Sequence, residues 1–85
     1  MHNLVERIVK QIVDNPDKVE VKQIDRGETI ILQICTAKED LHKIIGKGGR
    51  VVNALRVIVG AAAGQLGKRA KVEILENKPL DTENR

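Results

Sequence analysis

The feature that most constrains this chain is the tetrad Gly46–Gly49, with the sequence GKGG, between two apolar stretches. Glycine tolerates a positive φ and a close approach to the backbone, so three glycines in four positions predict a tight, bare turn. The flanking stretches, Leu41 to Ile45 and Val51 to Val59, are apolar with helical spacing. The sequence therefore predicts two helices joined by a turn that another molecule can approach closely.

Positive charge is concentrated around this turn. In the whole chain, 15 Lys and Arg outnumber 12 Asp and Glu, which gives a net charge of +3. The window from Lys38 to Arg56 holds five basic and two acidic residues, so it carries the same excess of +3. We therefore expect a polyanionic partner rather than an acidic small molecule.

Composition sets the class of protein. A chain of 85 residues predicts one domain, and the absence of Phe, Tyr and Trp predicts an aliphatic core. The single Cys35 excludes an internal disulfide and is expected to be a small buried hydrophobe. Neither His2 nor His42 has partners at metal-ligand spacing, and no nucleophile–base arrangement is visible. We expect no metal, no cofactor, no small-molecule substrate and no catalysis.

No stretch has the character of a signal peptide or a membrane-spanning helix, so the expected location is the cytoplasm and no membrane partner is expected. The predicted domain covers residues 1–77. Residues 78–85 are polar, apart from Pro79 and Leu80, and are expected to form a flexible tail.

The first half of the chain predicts a helix and a hairpin. Apolar residues from Leu4 to Val13 recur with helical spacing, after Asn3 as the expected N-cap. Alternation around Val21 predicts a half-buried strand, and residues 25–28 predict a turn. The β-branched run from Thr29 to Cys35 then predicts a second, more deeply buried strand that pairs antiparallel with the first.

The second half predicts two helices and a last strand. Thr36 and Glu39 have the spacing of a capping box, which would open the helix before the glycine turn. Alternation from Ala70 to Ile74 predicts the last strand. The apolar stripe of the helix after the turn consists of Val51, Val52, Leu55, Ile58, Val59 and Ala62. The order α-β-β-α-α-β predicts an α+β fold with a three-stranded mixed sheet and three helices on one face.

The run Ile44 to Val52, with the sequence IIGKGGRVV, resembles the signature of K-homology (KH) domains: an apolar pair, GxxG, then an apolar helix. The element order resembles the type II, prokaryotic form of that fold, over about Leu4 to Glu76. The chain is similar to small stand-alone bacterial KH-domain RNA-binding proteins, which are associated with a larger Jag-type KH partner. The resemblance implies that the turn clamps the backbone of single-stranded RNA.

The charges and amides expected at the turn also suit the backbone of RNA. Lys47 projects from the turn and Arg50 lies at the start of a helix, whose first amides attract anions. The bases would lie over an apolar groove and would bond to the backbone of the second strand. Taken with the resemblance, the expected RNA-binding residues are Gly46, Lys47, Gly48, Gly49, Arg50, Lys43, Ile44, Ile45 and Val52.

The expected function is that of a post-transcriptional regulator or RNA chaperone, and two alternatives stay open. Single-stranded DNA is one, because nothing in the sequence reads the 2′-hydroxyl. The other is a protein-interaction module that forms homodimers or heterodimers with a larger KH protein. Its surface would be a face of small and apolar residues on the helix after the turn: Ala54, Val57, Ile58 and Ala61. A second basic cluster, Lys68 to Lys71, is read as a solvated face that would extend the RNA footprint if it bound at all.

Overall fold

The computed structural model describes residues 2–76, and the predicted tail lies outside them. Its helices are α1 (His2–Ile12), α2 (Leu41–Ile45) and α3 (Arg50–Gln65), and its strands are β1 (Glu20–Arg26), β2 (Thr29–Thr36) and β3 (Arg69–Glu76). Single 3₁₀ turns lie at Pro16–Lys18, Lys38–Asp40 and Lys47–Gly49. The predicted order α-β-β-α-α-β is confirmed.

The three strands form one mixed sheet in the order β1-β2-β3. β1 and β2 form the predicted antiparallel hairpin, in which Arg26 pairs with Thr29 across the turn. β3 runs parallel to β2, with Thr29 opposite Arg69 and Thr36 opposite Glu76. β2 is therefore the central strand, and both edges of its backbone are paired within the sheet.

The helices pack on one face of the sheet, as predicted. In β2, Ile30, Leu32 and Ile34 are at most 1% exposed, whereas the residues between them are only half-buried. The core is aliphatic throughout, and α1 and α3 complete it with Val5, Val9, Leu55 and Val59. The period of two along β2 explains why one sheet face carries the core and the other does not.

Several local predictions are wrong. α1 begins at His2, so Asn3 lies inside the helix and is not its N-cap. The capping box does not form, because β2 continues to Thr36, whose buried hydroxyl donates to the carbonyl of Ala37 at 3.1 Å. Cys35 is half-exposed on the sheet face opposite the helices, because it lies between two core-facing positions of β2.

The apolar stripe of α3 also differs from the prediction. The buried residues are Val52, Leu55, Val59 and Ala63, so the last buried position lies one residue beyond Ala62. Ile58, expected both in the stripe and on the outer face, is 38% exposed. Residues three or four positions apart share a helix face, and the face of α3 that packs on the sheet is the one that carries residues 52, 55, 59 and 63.

Candidate nucleic-acid interface

The connection between α2 and α3 consists almost entirely of left-handed glycine. α2 ends where the Gly46 amide donates to the carbonyl of His42 at 2.9 Å, and the Gly49 amide then donates to the Gly46 carbonyl at 3.1 Å. Gly46, Gly48 and Gly49 have φ angles of 78°, 64° and 80°. L-residues with a Cβ rarely adopt such angles, so the turn depends on glycine at these positions.

Gly46 and Gly48 serve different purposes in the turn. A Cβ on Gly46 would lie 2.6 Å from Val51 Cγ2 and 2.8 Å from the Val51 amide nitrogen, so Gly46 lets α3 start directly against α2. A Cβ on Gly48 would meet nothing within 4 Å. The space over Gly48 is therefore open to another molecule, whereas the space over Gly46 is filled by the protein itself.

The open side of the turn is positively polarised. Lys47 and Arg50 are exposed, and among residues 2–76 neither forms an ion pair. The amides of Lys47 and Gly48 make no backbone hydrogen bond within that same range. The first turn of α3 contains no acidic residue, so its partial positive charge is not neutralised locally. This combination of free donors and cations suits a phosphate group.

Lys43, the third cation among the predicted RNA-binding residues, does not share the free state of Lys47 and Arg50. Lys43, on α2, forms an ion pair with Asp14 in the loop after α1, and its side chain is 32% exposed. Arg56, on α3, donates to Asn53 Oδ1 at 3.2 Å. Lys43 therefore lies beside the turn but is already engaged by a carboxylate, unlike Lys47 and Arg50.

The aliphatic residues near the turn divide into two groups. Ile44 has no exposed surface and Val52 is 8% exposed, so both are core residues and neither lines an open groove as expected. Ile45, the next residue along α2, is 44% exposed. The reason is helical geometry, since a step of one residue turns the side chain by about 100° and carries Ile45 away from the core.

The expectation that the second strand offers backbone hydrogen bonds to bases is wrong. Because β2 is central, its carbonyl and amide groups pair with β1 on one side and β3 on the other. β3 is an edge strand, and both α2 and α3 pack against it. Its outer edge is therefore the sheet edge that presents unpaired backbone groups beside the two helices of the turn.

The sequence profile of the family described as "KhpA/KhpB, KH domain" matches residues 2–74, which include the turn, all three helices and most of β3. The chain belongs to this KH-domain family. The match confirms the resemblance read from the turn and its flanking residues, and it agrees with the observed order of helices and strands.

Relatives of this KH domain share much of its sequence. "RNA-binding protein KhpA" from Caldanaerobacter subterraneus subsp. tengcongensis is 48% identical over 75 residues, which cover 88% of this chain and 100% of the relative. Proteins of the same name from Clostridium acetobutylicum and Aquifex aeolicus are 44% and 41% identical. Those alignments cover 88% and 89% of this chain, and 100% and 96% of the relatives. No solved structure matches the chain significantly.

A buried carboxylate fixes the start of α2 in the KH domain, and the sequence did not predict it. Asp40 has no exposed surface and lies at the N-cap of α2. It accepts hydrogen bonds from the Asn15 amide at 3.0 Å, the Asn15 side chain at 3.1 Å and the Asp14 amide at 3.3 Å. These contacts tie α2 to the loop after α1. The sequence gives no signal for them, because the partners lie 25 and 26 residues away.

The hydrogen bonds decide the ionisation of Asp40. Burial by itself raises the pKa of this carboxyl, but the bonds from Asn15 and Asp14, together with the charge of Lys43, outweigh it and leave the pKa below its ordinary value. Asp40 is therefore ionised, and its carboxylate is hydrogen-bonded to the loop that it holds.

Among residues 2–76 there is no group of His, Cys, Asp and Glu that could hold a metal ion, and no helix long and apolar enough to cross a membrane.

Proposed function

We propose that this KH domain binds single-stranded RNA through the turn between α2 and α3. The observation that carries the proposal is the open space over Gly48, flanked by the unpaired cations of Lys47 and Arg50. Relatives that align over nearly their whole length are named RNA-binding proteins, which agrees with this use of the turn. The phosphates lie against the amides of Lys47 and Gly48, at the positive end of α3.

The bases lie between the exposed side chain of Ile45 and the outer edge of β3. Ile44 and Val52 support the turn from inside the core rather than contacting RNA. The chain has no Phe, Tyr or Trp on which bases could stack, so the proposed base contacts are aliphatic contacts and backbone hydrogen bonds. Weak sequence preference follows. With two or three phosphates neutralised, the logarithm of the RNA association constant falls with the logarithm of the salt concentration with a slope of about −1.4 to −2.1.

In the cell, the proposed role is that of a cytoplasmic RNA chaperone or post-transcriptional regulator that acts through binding rather than catalysis. A small domain with a short cationic turn holds RNA loosely and exchanges it readily. Single-stranded DNA is the competing ligand, because no contact of the turn singles out a 2′-hydroxyl. Side-by-side titration with RNA and DNA oligomers of the same sequence separates the two.

The turn is tested by a double substitution, Lys47→Glu with Gly48→Asp, which places two carboxylates where the phosphates are proposed to lie. The matched control is Arg7→Glu with Gly27→Asp: it makes the same change of charge on an exposed helix residue and on another open glycine with positive φ. With a single-stranded RNA of about six nucleotides, which is clamped at the turn, we expect the site variant to lose binding while its circular dichroism is unchanged, and the control to keep binding. Equal binding by the two variants would refute the site assignment.

A second function, self-association, is favoured by the outer face of α3. Ala54, Val57, Ile58 and Ala61 are all exposed, and Val57 is 72% exposed. α1 packs on β1 and α2, so it does not cover this face. Exposed aliphatic residues among small ones allow two helices to approach closely. We propose this face as the contact of a homodimer or of a heterodimer with a larger KH protein of the KhpB kind.

The dimer face is tested by Ala61→Glu, with Gln11→Glu on the exposed side of α1 as control. Light scattering at micromolar concentration is expected to give twice the chain mass for the wild type and the control, and the mass of one chain for Ala61→Glu. A wild-type mass of one chain would remove the homodimer. Co-purification of the wild type, but not Ala61→Glu, with the larger KH protein tests the heterodimer separately.

A further inference from the structure

The sheet face opposite the helices is a second surface that the proposed RNA site does not use. No helix of the described part of the chain packs on it, and its residues alternate with those of the core. The pairing register shows which side chains share this face. Arg26, Thr29 and Arg69 lie in one row across the three strands, and Ile24, Ile31 and Lys71 lie in the next.

These two rows form a basic patch, defined by Arg26, Arg69 and Lys71 around Ile24 and Ile31. All three cations are exposed, and the two isoleucines are half-buried. Adjacent strands are about 4.8 Å apart, and residues two positions apart on a strand are about 6.7 Å apart, so the three cations originate within roughly 12 Å of one another. The sequence had suggested Lys68 to Lys71 as the second basic cluster, but only the sheet brings Arg26 into it.

The patch has no internal counter-charge. Within residues 2–76, none of its three cations forms an ion pair, and neither row contains a carboxylate. Lys68, in contrast, is paired with Asp25, whose side chain belongs to the opposite face of the sheet. On the basic patch's own face, Glu20 and Glu73 lie further along the strands, and Glu73 accepts from Gln33 at 3.0 Å. Glu28, in the hairpin turn, lies two residues from Arg26 in the sequence.

The basic patch lies far from the glycine turn. α3 starts at the turn and ends just before β3, so the beginning of β3 is one helix length away from it. A helix of 16 residues is about 24 Å long. The two surfaces also face opposite sides of the sheet. An RNA segment clamped over four nucleotides at the turn cannot reach the patch, whereas a longer strand can pass around the edge of β3.

We infer that the basic patch of Arg26, Arg69 and Lys71 is a second RNA-contacting surface, which engages the continuation of a strand held at the glycine turn. Charge complementarity identifies the occupant, because three unpaired cations with aliphatic residues between them fit a sugar–phosphate chain. This inference rests on the proposed RNA binding. It adds that affinity grows with RNA length beyond what the turn can hold.

The test compares two RNA lengths, since only the longer one can reach both surfaces. The variant is Arg69→Gln with Lys71→Gln, and the matched control is Arg7→Gln with Lys10→Gln on α1. Affinity is measured with single-stranded RNA of about six and about twenty nucleotides, at several salt concentrations. We expect the variant to bind the short RNA within twofold of wild type and the long RNA about fivefold to tenfold more weakly, with a salt slope shallower by about 1.4.

Two outcomes would overturn the inference. One is a loss of long-RNA affinity no larger than that of the control, and the other is an equal loss for both RNA lengths. Amide chemical shifts give an independent check: residues 69–71 are expected to shift with the long RNA and not with the short one. Binding of the short RNA by the wild type tests the proposed function itself, so failure of the turn and failure of the patch give different results.

Discussion

Replacing Gly46 by alanine is the most informative test of why the turn has its shape. Gly46 has φ 78° and ψ 170°, a region that residues with a Cβ occupy at a cost of about 1–3 kcal/mol. The new Cβ would also lie 2.8 Å from the Val51 amide nitrogen, which is backbone and cannot move aside freely. Forcing an atom into filled space costs about 1–3 kcal/mol more. The expected loss of unfolding free energy is therefore about 2–6 kcal/mol.

Gly48→Ala is the matched control, because it makes the same chemical change two residues away. Gly48 also has a positive φ, but its Cβ would meet nothing within 4 Å, so only the left-handed backbone cost of about 1–2 kcal/mol applies. A difference of 1 kcal/mol shifts Tm by about 4–8 °C in a domain of this size. Thermal unfolding is expected to give the lower Tm for Gly46→Ala by at least that amount. Equal Tm values for the two variants would refute the assignment of Gly46 as the packing glycine.

Two further predictions concern the loop after α1. Because the hydrogen bonds that lower the pKa of Asp40 act on its ionised form, its stabilising effect should be complete above about pH 4 and lost as pH falls further. Asp40→Asn should therefore have a lower free energy of unfolding than wild type at pH 7, and the difference should disappear at acid pH. Chemical denaturation that gives the same difference at pH 2 as at pH 7 would contradict this. Asp14→Asn should free Lys43 for phosphate and tighten RNA binding by up to about fivefold at low salt, since an exposed ion pair contributes up to about 1 kcal/mol. Unchanged affinity and salt dependence in a fluorescence titration would show that Lys43 makes no RNA contact.

The sequence predicted the architecture because its local signals agree with the tertiary fold. The β-branched run of β2, the turn before Thr29 and the glycine tetrad each indicate one structure, and the structure contains all three. The parallel pairing of β2 and β3 followed from the two helices that connect them. These features depend on residues close together in sequence, which is why composition and period sufficed.

Features that depend on distant residues were missed. Ile44 and Ile45 are chemically identical neighbours, and only the position of the sheet decides that the first is buried and the second exposed. The capping box failed because pairing with β3 extends β2 to Thr36. The anchoring role of Asp40 depends on the loop after α1, and the central position of β2 depends on which side β3 joins. None of these follows from local pattern alone.

The central claim is that the turn from Gly46 to Gly49 receives the RNA backbone, and an amide chemical-shift titration with a six-nucleotide single-stranded RNA tests it most directly. The account predicts that the amides of Lys47 and Gly48 shift most, together with those of the first turn of α3, in proportion to occupancy. Saturable RNA binding that leaves these amides unmoved, with the shifts elsewhere on the domain, would contradict it.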